Sequence, residues 1–167
     1  RRQRQMCIRD RSAADTLHPL VYKIDIKKEI SNTTRLYLRG GLAEANALGA
    51  DAVLIHMNTY GGQVDAADSM RTAILYNSIP VYVFIDNNAA SAGALISIAC
   101  KKIYMRKGAN IGAATVVNQT GAAMPDKYQS YMRSMMRSTA EAHGQDTIIQ
   151  KNDTLSVSYT HLTLPTI

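Results

Sequence analysis

The stretch that decides the fold is Ala52-Val-Leu-Ile-His-Met57, which continues through Asn58-Thr-Tyr-Gly-Gly62 into the segment from Val64 to Tyr76. Its first six residues form a nearly continuous apolar run, as expected for a strand buried in a parallel sheet. The glycine pair predicts a turn, and the apolar spacing after Val64 predicts a helix. A second apolar run, Val81-Tyr-Val-Phe-Ile85, follows Pro80. Strand, helix and strand in this order predict a βαβ unit.

The residues on either side continue this alternation of strands and helices. In chain order, the other predicted elements are a strand at Val21–Ile26, a helix capped by Ser31 or Asn32 that runs to Leu48 with Gly49 as its C-cap, a turn at Asp86–Asn88, a helix at Ser91–Ala99, a strand at Lys102–Met105, an irregular Gly/Ala-rich segment at Gly108–Val117, and a helix from near Asp126 to Gly144. The pattern predicts a layered α/β fold with a mostly parallel sheet. Ligands of such sheets bind beyond the C-terminal ends of the strands, which here are Asn58–Gly62 and Asp86–Ser91.

Composition excludes several classes of protein. The chain has 167 residues, about the length of one domain, with 46% hydrophobic and 19% charged residues, which excludes a disordered chain and a coiled coil. Residues 1–11 carry +4 of the net charge of +6, so the remaining +2 does not indicate a nucleic-acid partner. Two cysteines exclude a disulfide framework. The longest apolar run, Ala89–Cys100, is shorter than the roughly 20 residues that cross a bilayer.

The two ends differ in character from the rest of the chain. Residues 1–11 (RRQRQMCIRDR) have no periodicity, and residues 156–167 (SVSYTHLTLPTI) have no helix or strand pattern that joins them to the preceding segment. Both look like translated sequencing-adapter reads at the edges of an assembled fragment. We therefore expect non-native tails at 1–11 and 156–167, and a truncated domain at 12–155 with its core at about 20–147.

The two predicted strand ends carry chemistry. Gly61 and Gly62 leave backbone N–H groups uncovered at a helix start, with no Cβ to block a reacting group. Taken alone, the pair is explained by a tight turn, and Ser91, at the start of the next helix, is explained by an N-cap. Taken together, they predict a nucleophile beside an oxyanion hole.

A serine nucleophile needs a base. The four histidines are His18 before the first strand, His56 within a strand, His143 at the end of the last helix and His161 in the suspect tail. None lies between Ser91 and Lys127, which opens the last helix after the Gly-rich segment. Lys127 would act as a base only in its neutral form, which desolvation favours. The alternative is a solvated surface lysine.

Three motifs in this order resemble the protease domain of NfeD-like membrane proteins: Asn58-Thr-Tyr-Gly-Gly62, Asp86-Asn-Asn-Ala-Ala-Ser-Ala-Gly-Ala94 and Pro125-Asp-Lys-Tyr128. The resemblance covers roughly Leu20 to Thr147. It implies a ClpP/crotonase-like fold of repeated ββα and βαβ units.

The same resemblance implies a Ser–Lys dyad, with Ser91 as nucleophile and Lys127 as general base. It assigns the oxyanion donors to Gly61, Gly62 and Ala92. Tyr60 is a departure from the pattern, because many relatives have proline before the glycine pair.

The implied activity is ATP-independent endopeptidase cleavage of hydrophobic segments in stomatin-like membrane proteins. No cofactor, metal or nucleic acid is expected. The implied location is the extracytoplasmic side of the inner membrane, and the implied assembly is a homodimer or a higher oligomer. A stripe on the last helix is expected to serve as core or subunit contact; it comprises Tyr128, Tyr131, Met132, Met135, Thr139 and Ala142.

Two other functions are compatible with the same fold. Crotonase-like acyl-CoA enzymes use paired N–H donors for a thioester oxyanion, but they need no serine nucleophile, so Ser91 with Lys127 favours the peptidase. A catalytically inactive scaffold of a membrane complex is the other alternative.

The interpretation of the ends predicts that residues 1–11 and 156–167 contribute nothing to folding. Deleting both segments should leave the melting temperature nearly unchanged, because neither has a pattern that would pack on the domain. Differential scanning calorimetry of the full and trimmed chains measures this. A loss of several degrees would mean that the ends pack.

Overall fold

The computed structural model describes residues 19–112, 115–118 and 120–142. Its elements are β1 (Val21–Ile26), α1 (Asn32–Ala47), β2 (Ala52–Thr59), α2 (Val64–Leu75), β3 (Val81–Ala90), α3 (Ala92–Ile98), β4 (Lys102–Met105), β5 (Asn110–Gly112) and α4 (Asp126–Glu141). Both predicted tails lie outside the described residues, as do His18, His143 and His161. The proposed domain bounds therefore stay predictions.

The strands form one sheet in the order β1-β2-β3-β4, with β5 paired to the last part of β3. Every pairing between these strands is parallel. Ile24, Ile55, Val83 and Ile103 lie side by side across the four strands, and all four are buried. The mostly parallel α/β fold predicted from the sequence is confirmed.

The core lies on the face of the sheet that the helices cover. Alternate residues of β1, β2 and β3 are buried on that face. Over them packs α3, in which every residue from Ala92 to Ile98 is buried. A helix buried on all sides has its position fixed by packing in every direction. The start of α3, where Ser91 lies, is therefore placed by the core itself.

The sequence offered Ser31 or Asn32 as the N-cap of α1. Ser31 is the N-cap, and it forms a capping box with Thr34: the Thr34 N–H donates to Ser31 Oγ, and the Ser31 N–H donates to Thr34 Oγ1 at 2.7 Å. Leu48 is the C-cap, and Gly49 follows with φ 62°, a conformation that glycine adopts without steric cost.

Two strands run further than the sequence predicts. β2 continues through Asn58 and Thr59, and β3 continues through the Asp86–Asn88 segment that was expected to be a turn. For β3 the reason is β5, which forms within the segment predicted to be irregular, and the extended β3 in turn pairs Ala89 with Thr59 of β2. β5 pairs Asn110–Gly112 with Asn88–Ala90, so the ladder supplies hydrogen bonds that the local sequence does not announce.

Only some residues of the stripe expected on α4 are buried in the core. Met132, Met135 and Thr139 are buried, whereas Tyr128, Tyr131 and Ala142 are exposed. Gln129, Met136 and Ala140 complete the buried face, which is rotated relative to the predicted one. Among the described residues, no helix has the length and apolar character needed to span a bilayer.

Candidate functional site

Ser91 joins β3 to α3 in a strained backbone conformation. Its φ of 52° and ψ of −114° make it the single non-glycine residue with positive φ among the described residues. Such a conformation costs on the order of 1–3 kcal/mol and persists only where the surroundings impose it. In α/β-hydrolases, a sharp strand-to-helix turn of this kind exposes the hydroxyl of the serine nucleophile. The Ser91 side chain makes no capping hydrogen bond, so the N-cap interpretation does not account for it.

Neighbouring backbone holds this turn in place. The Ser91 N–H donates to the Gly112 carbonyl at 2.8 Å, and the Ser91 carbonyl accepts from the Ala94 N–H at 3.0 Å. A residue of β5 therefore fixes the backbone of the candidate nucleophile by a direct hydrogen bond. Sequence reasoning missed both β5 and the positive φ of Ser91, because neither has a local sequence signal.

The glycine turn packs directly against Ser91. A Cβ added to Gly61 would lie 2.8 Å from Ser91 Cβ and 3.3 Å from Ser91 Oγ. A Cβ added to Gly62 would overlap the carbonyl oxygen of Ile30. Both glycines also have positive φ, 110° and 151°. Neither position accepts a side chain, so the pair is required by packing as well as by backbone conformation.

The amides of this turn are not equivalent. The Gly61 N–H donates to Thr59 Oγ1 at 3.1 Å. Ile30 brackets Gly62, because its N–H donates to Gly61 O and its carbonyl accepts from the Gln63 N–H, both at 2.8 Å. In an extended chain successive N–H groups alternate in direction, so the Gly62 N–H points away from Ile30. Within the described residues the N–H groups of Gly62 and Ala92 make no hydrogen bond.

Thr59 connects the two turns. Its hydroxyl holds the Gly61 amide, and its methyl group lies 2.6 Å from the position that a Cβ on Gly93 would occupy. Thr59 is itself buried at the end of β2. The end of β2 and the start of α3 are therefore in contact through one threonine side chain and one bare glycine.

Lys127 lies in the first turn of α4, exposed, with its Nζ 5.0 Å from the ring centroid of Tyr128. A hydrogen bond between Lys127 and Ser91 is absent from the contacts of the described residues, so the predicted dyad stays a prediction.

The buried Gln129, which the sequence did not single out, anchors this helix start. It accepts from the Val116 N–H at 2.9 Å and donates to the Val116 carbonyl at 2.7 Å. These two hydrogen bonds join the first turns of α4, where Lys127 lies, to the segment that follows β5.

His56 is held among carboxylates on the face of the sheet that the helices leave uncovered. Its Nδ1 lies 2.9 Å from Asp25 Oδ1, and its Nε2 lies 3.5 Å from Asp86 Oδ2 without the geometry of a hydrogen bond. Desolvation tends to raise the pKa of Asp25, but hydrogen bonds from Lys23 and Lys27 outweigh it and hold that pKa below its usual value. Among the described residues, His56 therefore contacts the carboxylates of Asp25 and Asp86 and not Ser91.

One cavity is lined by the glycine turn, and another is lined by the helix that follows this turn in the chain. The apolar cavity, of about 770 Å³, lies between α2 and α4. Its walls include Val64, Val116, Tyr128, Tyr131, Met132 and Met135, and Asp65, Asp68 and Lys127 also contribute to its surface. The lysine cavity, of about 470 Å³, is lined by Lys27, Lys28, Asn58, Tyr60, Gly61 and Gly62, with Glu29 and Thr59 completing its wall.

The sequence matches a known family over most of its length. The family model described as the N-terminal domain of NfeD1b matches residues 20–157. The membrane protein NfeD1b of Bacillus subtilis is 33% identical over 126 residues, and the membrane-bound protease PH1510 of Pyrococcus horikoshii is 29% identical over 138 residues. These alignments take in 75% and 78% of this chain, which spans 29% and 31% of the two relatives.

Solved structures agree with the sequence comparison. A serine-to-alanine mutant of the 1510-N membrane-bound stomatin-specific protease superposes with a TM-score of 0.72 at 28% identity, covering 77% of this chain and 66% of that one. A lysine-to-alanine mutant of the same protease, in complex with a substrate peptide, gives 0.70 at 28% identity, covering 74% and 60%. ClpP1 of Listeria monocytogenes gives 0.60 at 21% identity, covering 75% and 74%, and shares the fold.

The contact between Thr59 and Gly93 predicts a specific sensitivity to added volume. Gly93→Ala should destabilise the protein by about 1–3 kcal/mol, because its new methyl group overlaps the buried Thr59 side chain. Gly40→Ala is the matched control: Gly40 lies within α1 with no atom within 4 Å of the added Cβ, so it should stabilise by about 1 kcal/mol. Urea unfolding compares the two. Equal stability of both variants would contradict the close contact.

Proposed function

Because the chain belongs to the family of NfeD1b N-terminal domains, we propose that it is a serine-type endopeptidase domain. The observation that carries the proposal is the geometry of Ser91, a strained serine with no capping role, packed against a turn of two glycines. A crotonase-like thioester enzyme would not need a strained serine at this point. An inactive scaffold would have no use for the strain at all.

Ser91 is the proposed nucleophile, and Lys127 the proposed base. Ser91 Oγ attacks the scissile carbonyl carbon while its proton passes to the neutral Lys127 amine. When the tetrahedral intermediate collapses, the C–N bond breaks and the ammonium returns that proton to the leaving amine. Water then attacks the acyl-enzyme by the same route, which releases the acid and restores Ser91. Serine and lysine are also the residues replaced in the two solved mutants of the 1510-N protease.

The oxyanion donors are proposed on the two turns. The N–H groups of Gly62 and Ala92 have no partner within the described residues, which makes them available to a developing oxyanion. The Gly61 N–H, also predicted as a donor, is engaged with Thr59. It would contribute only by exchanging that bond.

The proposed substrate is an apolar segment of a membrane-associated protein. The apolar cavity supports this, since methionine, valine and tyrosine side chains supply most of its surface next to Lys127. The names of the relatives place them at membranes, and the 1510-N protease is named as stomatin-specific. We accordingly propose a stomatin-like substrate, cleavage without ATP, and a position on the extracytoplasmic side of the membrane.

The oligomeric state and the bounds of the domain are also proposals. A homodimer or a higher oligomer is proposed from the ClpP-like fold. A domain at 12–155 between non-native tails is proposed from the sequence pattern, and the family match at residues 20–157 covers most of that range and the first two residues of the second tail.

Replacing Ser91 separates its chemistry from its strain. Ser91→Ala and Ser91→Gly should both abolish cleavage of an apolar fluorogenic peptide. Ser91→Gly should be the more stable of the two by about 1 kcal/mol, because glycine relieves the positive φ. Ser130, exposed in α4, is the control position, where alanine should be more stable than glycine. Full activity of Ser91→Ala would refute the nucleophile assignment.

The role of Lys127 predicts which lysine variants lose activity. Hydrolysis of the apolar peptide is measured from about pH 6 to 10, because the Lys127 amine accepts the Ser91 proton. Lys127→Ala should be inactive, and Lys127→Arg should not restore activity because arginine stays protonated. Lys107→Ala, at an exposed lysine outside both cavities, should retain the wild-type profile. An active Lys127→Ala together with an inactive His143→Ala would replace the dyad by a histidine mechanism.

A further inference from the structure

The lysine cavity is the one that touches the glycine turn itself. Gly61 and Gly62 form part of its wall, and Gly61 is also in contact with Ser91. A peptide whose carbonyl oxygen reaches the Gly62 amide therefore places a neighbouring residue at this cavity. This step rests on the proposed peptidase function.

Tyr60 is exposed to a degree that packing does not explain. Its neighbours Thr59 and Gly61 are buried, so its backbone is fixed, yet Tyr60 itself is 81% exposed. The ring lines the lysine cavity instead of the core. Exposed tyrosines gain from burying their ring against a partner, and this one lies one residue from the glycine pair.

The charges of the lysine cavity favour a carboxylate. Lys27 is already in contact with Asp25 at 3.3 Å, and the lowered pKa of that carboxyl keeps it charged as the partner. Lys28 has no ion pair among the described residues. Glu29 is the one acidic residue in the wall, and it forms no ion pair with either lysine among the described residues, so Lys28 is the ammonium group that can bind a ligand carboxylate.

The apolar cavity differs in charge from the lysine cavity. Asp65, Asp68 and Lys127 contribute to its wall, Asp68 is paired with Arg71, and Asp65 has no ion pair within the described residues.

We propose that the lysine cavity is a substrate subsite for an acidic side chain, with Lys28 binding its carboxylate and Tyr60 covering its aliphatic part. The substrate is then an apolar segment that carries Glu or Asp next to the scissile bond on one side. Tyr60 and Lys28 determine specificity and take no part in bond breaking.

Binding to a non-cleaving protein tests this without relying on turnover. The full chain with Ser91→Ala is titrated with a fluorescein-labelled apolar peptide that carries one Glu at successive positions, and with the matching Gln peptides. At one position the Glu peptide should bind about three- to fivefold more tightly than the Gln peptide, the size expected for a partly exposed ion pair. The preference should weaken as salt is added.

Variants in the same background assign the preference. Lys28→Gln should abolish it, whereas Lys102→Gln, at an exposed lysine on the opposite end of the sheet, should keep it. Tyr60→Ala should weaken both peptides and Tyr60→Phe should not. Tyr76→Ala, at a tyrosine that is 85% exposed and outside the lysine cavity, should have no effect.

Two results would overturn the subsite: equal affinity for the Glu and Gln peptides at every position, or an unchanged preference in Lys28→Gln. Cleavage by the wild-type chain is measured in parallel. Absence of cleavage with the Glu preference intact would overturn the peptidase and keep the binding site. Cleavage without any Glu preference would do the reverse.

Discussion

The site depends on one close approach, between the end of β2 and the start of α3. Thr59 touches Gly93, and Gly61 touches Ser91, at distances that leave no room for a Cβ on either glycine. The glycine turn packs against Ser91 only because these side chains are missing. All residues of α3 are buried, so the start of this helix cannot move away from β2 without disturbing the core.

The strain at Ser91 follows from the same arrangement. A residue at φ 52° would relax if its neighbours allowed it, but β5 binds its N–H and the first turn of α3 binds its carbonyl. These bonds fix both ends of the residue and leave its side chain without a capping role. The strained backbone of Ser91 therefore lowers the free energy of unfolding, and the packing of the surrounding core offsets this loss.

The sequence predicted what depends on local pattern. Strands β1 and β4, the helices and the capping of α1 follow from apolar spacing and cap residues, and the order of motifs pointed to Ser91 and the glycine pair. It did not predict that β3 runs to Ala90, since that extension depends on β5, about twenty residues further on. The roles of Thr59 and Gln129 were missed for the same reason: each bonds backbone that only folding brings near.

The constraints on the glycine turn also decide where variation is permitted. Thr59 is fixed by Gly93 and by the Gly61 amide, Gly61 by Ser91, and Gly62 by the backbone of Ile30. Tyr60 alone has a side chain that the fold leaves in solvent. A change there alters the surface beside Ser91 without moving the amides, whereas a change at any of the other three positions alters the turn itself. Tyr60 is therefore the position in this turn at which the proposed substrate preference can change while the proposed oxyanion donors stay in place.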